Sequence, residues 1–88
     1  MAKVEIYTWA TCPFCKKAKD LLDTKSVDYT EYMIQGDEDA RDQMAERSNG
    51  RRTVPQIFIN DQWIGGCDDM HLLEAEGKLD KMLGTAAA

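Results

Sequence analysis

Long apolar runs are missing from this 88-residue sequence. No segment approaches the roughly 20 consecutive apolar residues that cross a bilayer. Lys3 and Glu5 interrupt the first apolar stretch, so no signal-peptide pattern is visible. These absences predict a cytoplasmic protein with no membrane partner. The length and a hydrophobic content of 43% fit one globular domain over residues 1–88, with a core over about 3–83 and a fraying tail at 85–88.

Basic residues are in deficit, because 11 Lys and Arg stand against 16 Asp and Glu, for a formal net charge of −5. General nucleic-acid binding needs a basic footprint, so nucleic acid is not expected as a partner. Two short basic pairs, Lys16–Lys17 and Arg51–Arg52, can still attract a small anionic ligand.

Cysteine is scarce, with three residues in the chain, and two of them lie close together in "TWATCPFCKKAKD" at residues 8–20. In a thiol-reducing compartment, such a pair is more often catalytic or metal-binding than structural. Cys12 and Cys15 are also separated by one of only two prolines in the chain, Pro13. The pair is therefore the first candidate for a functional site.

Strand and helix patterns alternate along the chain. The apolar spacing predicts a strand near the start, a helix from Pro13 to about Lys25, a strand at 27–34 and a helix at 37–48. A hairpin at 56–65 follows, with its turn at Asn60–Asp61. Asp68 is predicted to cap a last helix, which Gly77 interrupts before one more turn. The order is β-α-β-α-β-β-α. The first β-α-β unit requires a parallel pair with a right-handed crossover, so an α/β fold with a mixed sheet and helices on both faces is predicted.

Placing Cys12 at the N-terminal cap of the first helix gives it a distinct chemistry. Its sulfur would lie near unpaired backbone N–H groups and the positive end of the helix dipole, with Lys16 and Lys17 one turn away. Both effects favour the thiolate, which is the nucleophile. Cys15 begins the row that continues with Ala18 and faces the core, so it should be buried and stay protonated until needed. This asymmetry suits an attacking and a resolving thiol.

Two alternatives compete with the redox interpretation. The cysteines could be inert and buried, but Pro13 at a strand-to-helix junction would then have no role. Cys12, Cys15, Cys67 and His71 could instead form a structural zinc site, since C-x2-C followed by C-x3-H is an acceptable ligand set. Against zinc, the β-α-β unit already supplies a core, and Cys15 on the inner face of a helix cannot easily turn toward a ligand cage.

Three segments, "YTWATCPFCKKAKDLL", "RTVPQIFIN" and "IGGCDD", resemble the signature segments of the glutaredoxins, in order and at family spacing. The resemblance is greatest to the small bacterial-type dithiol members and covers roughly residues 3–83. It implies a thioredoxin-like fold with a four-stranded mixed sheet flanked by helices. It also implies a monomeric, glutathione-dependent thiol–disulfide oxidoreductase with glutathione as cofactor. Its expected partners are glutathionylated proteins, reduced through Cys12 alone, and disulfide-containing proteins, reduced through Cys12 and Cys15.

The resemblance also implies where glutathione binds. Thr53, Val54 and Pro55 match a family motif whose proline is cis, and the Val54 backbone would pair with the tripeptide as an added strand beside Cys12. The γ-glutamyl end would lie against the backbone of Cys67 and the carboxylate of Asp68. The final members of the implied glutathione site are Phe14, which stands where the family often has tyrosine, and Arg52.

Trp9 departs from the family pattern, because many members carry a lysine three positions before the first cysteine. The carboxylate of the glycyl end then needs another cation. Arg51, Arg52 and Arg41 are all candidates, and Arg52 is nearest to the Thr53 motif. Trp9 itself is either an apolar wall for the substrate or a lone surface aromatic.

A different function is known within the family, since some members hold an iron–sulfur cluster between two subunits through the first cysteine and glutathione. Pro13 disfavours that use here, because cluster-binding members tend to have a smaller and less rigid residue in its place.

Overall fold

The computed structural model describes residues 2–84. The tail predicted to fray, at 85–88, lies outside the described residues. The elements are β1 (Val4–Thr8), α1 (Pro13–Thr24), β2 (Thr30–Met33), α2 (Glu38–Arg47), β3 (Gln56–Ile59), β4 (Gln62–Gly65), α3 (Cys67–Ala75) and α4 (Leu79–Leu83). In residues 2–84, no helix combines the length and the apolar character that a membrane crossing requires.

The four strands form one mixed sheet in the order β2-β1-β3-β4. β1 pairs in parallel with β2 and antiparallel with β3, and β3 pairs antiparallel with β4. The predicted mixed sheet is therefore confirmed. Both residues of the Asn60–Asp61 turn have positive φ angles, 52° and 66°, as a tight two-residue hairpin requires.

Alternation along the strands divides the core between the two faces of the sheet. Val4 and Ile6 of β1 pack with α1, α3 and α4 in one buried cluster. Tyr7 packs on the opposite face, in a second cluster with Met44 of α2. Helices thus cover both faces, as predicted, and the start of α1 lies at the end of the sheet where β1 finishes.

The last helix is interrupted at Gly77, as predicted: it is divided there into α3 and α4, and the φ of Gly77 is 73°. Its N-terminal cap differs from the prediction, because the cap is Gly66 and Asp68 falls within the first turn. The prediction that Asp68 caps the helix is therefore wrong. The Asp69 side chain serves the N-terminus instead, because its Oδ2 accepts the Gly66 N–H at 2.9 Å.

Gly65 is the position where glycine is required for two independent reasons. Its φ is +112°, and a Cβ at this site would collide with the side chain of Asp69. We expect Gly65→Ala to lower the free energy of unfolding by about 2–3 kcal/mol, from the backbone cost together with loss of the Asp69 cap. Chemical denaturation measures this loss. Gly50→Ala is the matched control, since its φ is +88° but its surroundings are open. An equal loss in both variants would contradict the collision with Asp69.

Candidate active site

Cys12 is the N-terminal cap of α1, as predicted. Its Sγ accepts a hydrogen bond from the backbone N–H of Cys15 at 3.1 Å and lies 3.9 Å from the carbonyl oxygen of Val54. The residue is half-buried and has a free thiol. Pro13 occupies the first helical position, where its missing N–H costs nothing. The sulfur is thus held by the helix start on one side and faces the loop before β3 on the other.

Cys15 is almost fully buried, with 1% of its surface exposed. This burial, together with a hydrogen bond to the Cys12 sulfur, raises the pKa of Cys15 to about 12. Cys15 is therefore a thiol near neutral pH. The predicted burial of Cys15 is confirmed, and the two sulfurs of the pair have different environments.

A first cleft of about 190 Å³ lies beside the cis Val54–Pro55 peptide, which has the isomer that the family resemblance implied. Residues from three parts of the chain line it: Phe14, Arg51, Thr53, Val54, Pro55, Gln56, Gly66, Cys67, Asp68 and Asp69. Six of the residues predicted to bind glutathione are therefore brought together around one cleft. Phe14 is 57% exposed at its rim, which leaves an aromatic ring open to solvent close to Cys12.

Cys67 is buried at the start of α3, and burial raises the pKa of its thiol. The sequence places no basic residue beside it, but the fold brings Lys17 of α1 near enough to act in the opposite sense. A buried protonated thiol is a weak nucleophile. Cys67 is thus suited to contribute its backbone to the cleft, as predicted, while its thiol belongs to the core.

A second cleft of about 300 Å³ contains Cys12 itself and shares two residues with the first. Its lining consists of Trp9, Thr11, Cys12, Pro13, Arg41, Arg52, Thr53 and Val54. Arg52, the seventh residue predicted to bind glutathione, lines this second cleft and not the first, and Arg41 of α2 lines it too. Arg51 points to the other side, with its guanidinium 5.2 Å from the centre of the Trp63 ring and 3.5 Å from the Asp69 carboxylate.

Gln56 has a role at the site that its place in the sequence does not reveal. As the first polar residue of a strand pattern it is expected at the edge of the sheet, but β3 is a central strand and Gln56 is 1% exposed. Its side chain accepts from Trp63 Nε1 at 2.8 Å and donates to Thr53 Oγ1 at 3.3 Å. Gln56 therefore holds Thr53 in the wall of the first cleft. No local pattern reveals this role, because its partners come from the next strand and the preceding loop.

The zinc alternative finds no support in the arrangement of side chains. Across residues 2–84, no three His, Cys, Asp or Glu side chains converge as metal ligands. His71, the fourth member of the hypothetical set, is half-buried on α3.

A mixed sheet of this topology, with a cysteine pair opening its first helix beside a cis-proline, defines the thioredoxin-like class of thiol–disulfide redox proteins. Comparison with known proteins narrows the class. The glutaredoxin family model matches residues 4–64. A probable glutaredoxin of Synechocystis is 60% identical, covering 93% of each chain, and glutaredoxin 3 of Escherichia coli is 55% identical, covering 94% of this chain and 99% of its own. A buckwheat glutaredoxin–glutathione complex has a TM-score of 0.85 at 28% identity, covering 98% of this chain and 83% of the buckwheat chain. The chain belongs to the glutaredoxin family, whose members are thiol–disulfide oxidoreductases.

Proposed function

We propose that this enzyme uses glutathione as its thiol substrate and reduces protein–glutathione mixed disulfides through Cys12. One observation carries the proposal. The two clefts meet at Thr53 and Val54, and Cys12 Sγ lies at that junction, 3.9 Å from the Val54 carbonyl oxygen. A tripeptide laid across Val54 would have its central cysteine beside Cys12 and one end in each cleft. The buckwheat relative, solved as a complex with glutathione, supports the same ligand.

The first cleft suits the γ-glutamyl end, which carries an ammonium and a carboxylate. The carboxylate would accept N–H groups at the start of α3, near Cys67, where the helix dipole favours negative charge. The exposed carboxylate of Asp68 would meet the ammonium. Val54 would pair through its backbone as in strand addition, and the Phe14 ring would cover the ligand from the α1 side.

The second cleft suits the glycyl end, whose carboxylate needs a cation. Arg41 and Arg52 both line this cleft. A guanidinium matches a carboxylate in shape and can donate two parallel hydrogen bonds. An arginine at this wall of the cleft would therefore replace the lysine that Trp9 displaces.

The monothiol route requires Cys12 alone. Its thiolate attacks the glutathione sulfur of the mixed disulfide, the S–S bond breaks, and the protein thiolate leaves and takes a proton from solvent. Cys12 is then joined to glutathione. A second glutathione thiolate attacks the glutathione sulfur of this disulfide, which releases the Cys12 thiolate and glutathione disulfide. The net reaction consumes one free glutathione: the protein thiol is restored, and the glutathionyl group of the substrate leaves as one half of the glutathione disulfide.

The dithiol route adds Cys15. Cys12 first attacks the disulfide of the target protein, which breaks that S–S bond, joins Cys12 to one target sulfur and releases the other as a thiolate. Cys15 then loses its proton, attacks Cys12 Sγ and expels the remaining target thiolate. The resulting Cys12–Cys15 disulfide is reduced by two glutathione molecules. Because burial raises the pKa of Cys15 to about 12, Cys15 is a protonated thiol at the start of the reaction, and Cys12 is the sulfur that attacks the target.

A Cys15→Ser variant tests the proposal. Reduction of a glutathionylated peptide, coupled to glutathione reductase and NADPH, should proceed at half or more of the wild-type rate, because Cys12 and glutathione suffice. Reduction of a protein disulfide such as that of insulin should fall at least about tenfold. If wild type and variant are both inactive on the glutathionylated peptide, the glutathione site described above is wrong.

Three further predictions complete the proposal. We propose a monomer built as one domain, acting in the cytoplasm, where glutathione and reduced thiols are abundant. Bound glutathione would supply most of the recognition, so target proteins need only weak contacts with the enzyme.

A further inference from the structure

Trp9 occupies the position where a cation would be expected, and its surroundings give it a specific task. The ring packs against the buried cluster of Tyr7 and Met44, and its Nε1 is buried with no hydrogen-bond partner among the described residues. The guanidinium carbon of Arg41 lies over this ring, 5.4 Å from its centre. A guanidinium above an indole face is attracted by the ring quadrupole. The ring is therefore a fixed platform under Arg41 at the wall of the second cleft.

Arg41 keeps its charge available while it is held in place. Its Nε donates to the backbone carbonyl of Arg52 at 3.0 Å, which fixes the orientation of the guanidinium. Among residues 2–84, its ion pair is with the carboxylate of Glu38, which is 3.9 Å away, at the outer limit of such a pair. The terminal nitrogens of Arg41 thus have no closer carboxylate partner in the part of the chain that the structure describes.

Arg52 is in the opposite situation. Its Nη2 lies 2.7 Å from Asp42 and 3.6 Å from Glu38. Asp42 lines a neighbouring surface depression together with Arg52, and it is absent from the lining of the cleft that contains Cys12. The closest partner of Arg52 therefore draws its guanidinium away from Cys12.

We propose that Trp9 is a positioning residue that presents Arg41 to the glycyl carboxylate of the glutathionyl group, while Asp42 restrains Arg52. This inference rests on the proposed function and assigns the larger share of carboxylate binding to Arg41. Trp9 replaces the cation of the family pattern indirectly, by placing an arginine from α2 at the cleft. With tryptophan in place of the family lysine, the positive charge at the second cleft comes from Arg41 of α2 and not from the loop before α1.

The test uses a peptide carrying a mixed disulfide with either glutathione or glutathione esterified at its glycyl carboxylate. KM for each peptide is measured at a fixed, saturating concentration of free glutathione. The wild type should show a KM about tenfold lower for the acid than for the ester, since a charge-assisted hydrogen bond is lost in the ester. Arg41→Gln should reduce this ratio to near one with little change in kcat. Arg52→Gln should keep most of the ratio.

Variants of Trp9 separate positioning from a merely structural role. Trp9→Phe retains an aromatic face and should keep the acid-to-ester preference within about twofold of wild type. Trp9→Leu removes the face and should reduce the preference about threefold, with kcat unchanged. In the Arg41→Gln background, Trp9→Leu should have no further effect on the ratio. If Trp9→Leu does not fold, the comparison of Trp9→Phe with a Trp9→Met variant replaces it.

Distinct results would overturn the inference. A ratio abolished by Arg52→Gln and kept by Arg41→Gln would assign the carboxylate to Arg52. A ratio unchanged in Trp9→Leu would remove the role of Trp9. If the wild type reduces glutathionylated peptide but shows no acid-to-ester preference, this inference fails and the proposed function stands. If the wild type does not reduce the peptide at all, the proposed function fails first.

Discussion

Replacing Cys12 with serine is expected to lower glutathione-linked disulfide reduction by at least about 10³-fold, as loss of a covalent nucleophile does in other enzymes. A hydroxyl cannot form the mixed disulfide through which both routes pass. Cys15 cannot take over, because it is buried and the pKa of its thiol is raised to about 12. Cys67 is buried too, and its pKa is also raised. The coupled assay with glutathionylated peptide measures the loss.

The fold should survive this substitution, which makes the experiment clean. Cys12 acts as a helix cap by accepting the Cys15 N–H, and serine is among the preferred residues for that position. The thermal unfolding midpoint of Cys12→Ser should therefore equal or exceed that of wild type. Activity that persisted in Cys12→Ser and vanished in Cys67→Ser would contradict the assignment of Cys12 as the nucleophile.

Removing Arg47 is expected to destabilise the fold strongly while leaving the active site untouched. Its guanidinium forms two hydrogen bonds to Glu5, at 2.9 and 3.2 Å, and lies 4.0 Å from the centre of the Phe58 ring. Glu5 is 4% exposed. Arg47→Ala leaves a buried carboxylate without its main partner, which costs about 3–5 kcal/mol of unfolding free energy. Urea denaturation at neutral pH measures this change.

The Lys16→Ala variant is the matched control for the loss of a cation. Lys16 pairs with Asp20 at 2.9 Å, but both side chains are largely exposed. Exposed pairs contribute little, so stability should change by less than about 1 kcal/mol. Similar losses in the two variants would show that burial of Glu5 does not decide the effect.

The stabilisation by the Glu5–Arg47 ion pair should depend on pH. The hydrogen bond from Arg47 holds the pKa of Glu5 below its ordinary value in the folded protein. The pair therefore stabilises the fold fully above the unfolded pKa of about 4.3 and loses its contribution as the pH falls through the lower folded value. In Arg47→Ala, burial favours the protonated acid. The stability difference between the two proteins should thus be largest at pH 7 and shrink as the pH approaches 4.

The local parts of the site could be predicted from the sequence because their causes are local. Cys12, Pro13 and Cys15 lie within four consecutive positions, so the geometry of a helix start determines which sulfur caps and which is buried. The turn at Asn60–Asp61 was predictable for a similar reason, because both residue types tolerate positive φ. These features depend on neighbours in the chain and on few distant contacts.

The parts that could not be predicted depend on tertiary contacts. In the sequence Gln56 is only the first residue of a strand pattern, and its role depends on the contacts with Trp63 and Thr53 that the fold creates. The distinction between Arg41 and Arg52 depends on where Asp42 lies, which no spacing in the sequence reveals. The cap of α3 was misplaced because Asp68 is a good capping residue, whereas Gly66 has no side chain to suggest the role.

Because Cys12 is the N-terminal cap of α1, the redox state of its sulfur also affects the stability of the first turn of that helix. The sulfur that accepts the Cys15 N–H in the dithiol form is the atom that becomes bonded to glutathione or to Cys15 on oxidation. A disulfide sulfur is a poorer acceptor than the sulfur of a free cysteine, so oxidation weakens the cap. By linkage, the reduction potential and the local opening equilibrium of the first turn are coupled. Hydrogen exchange at the Cys15 amide would then report the redox state of the enzyme.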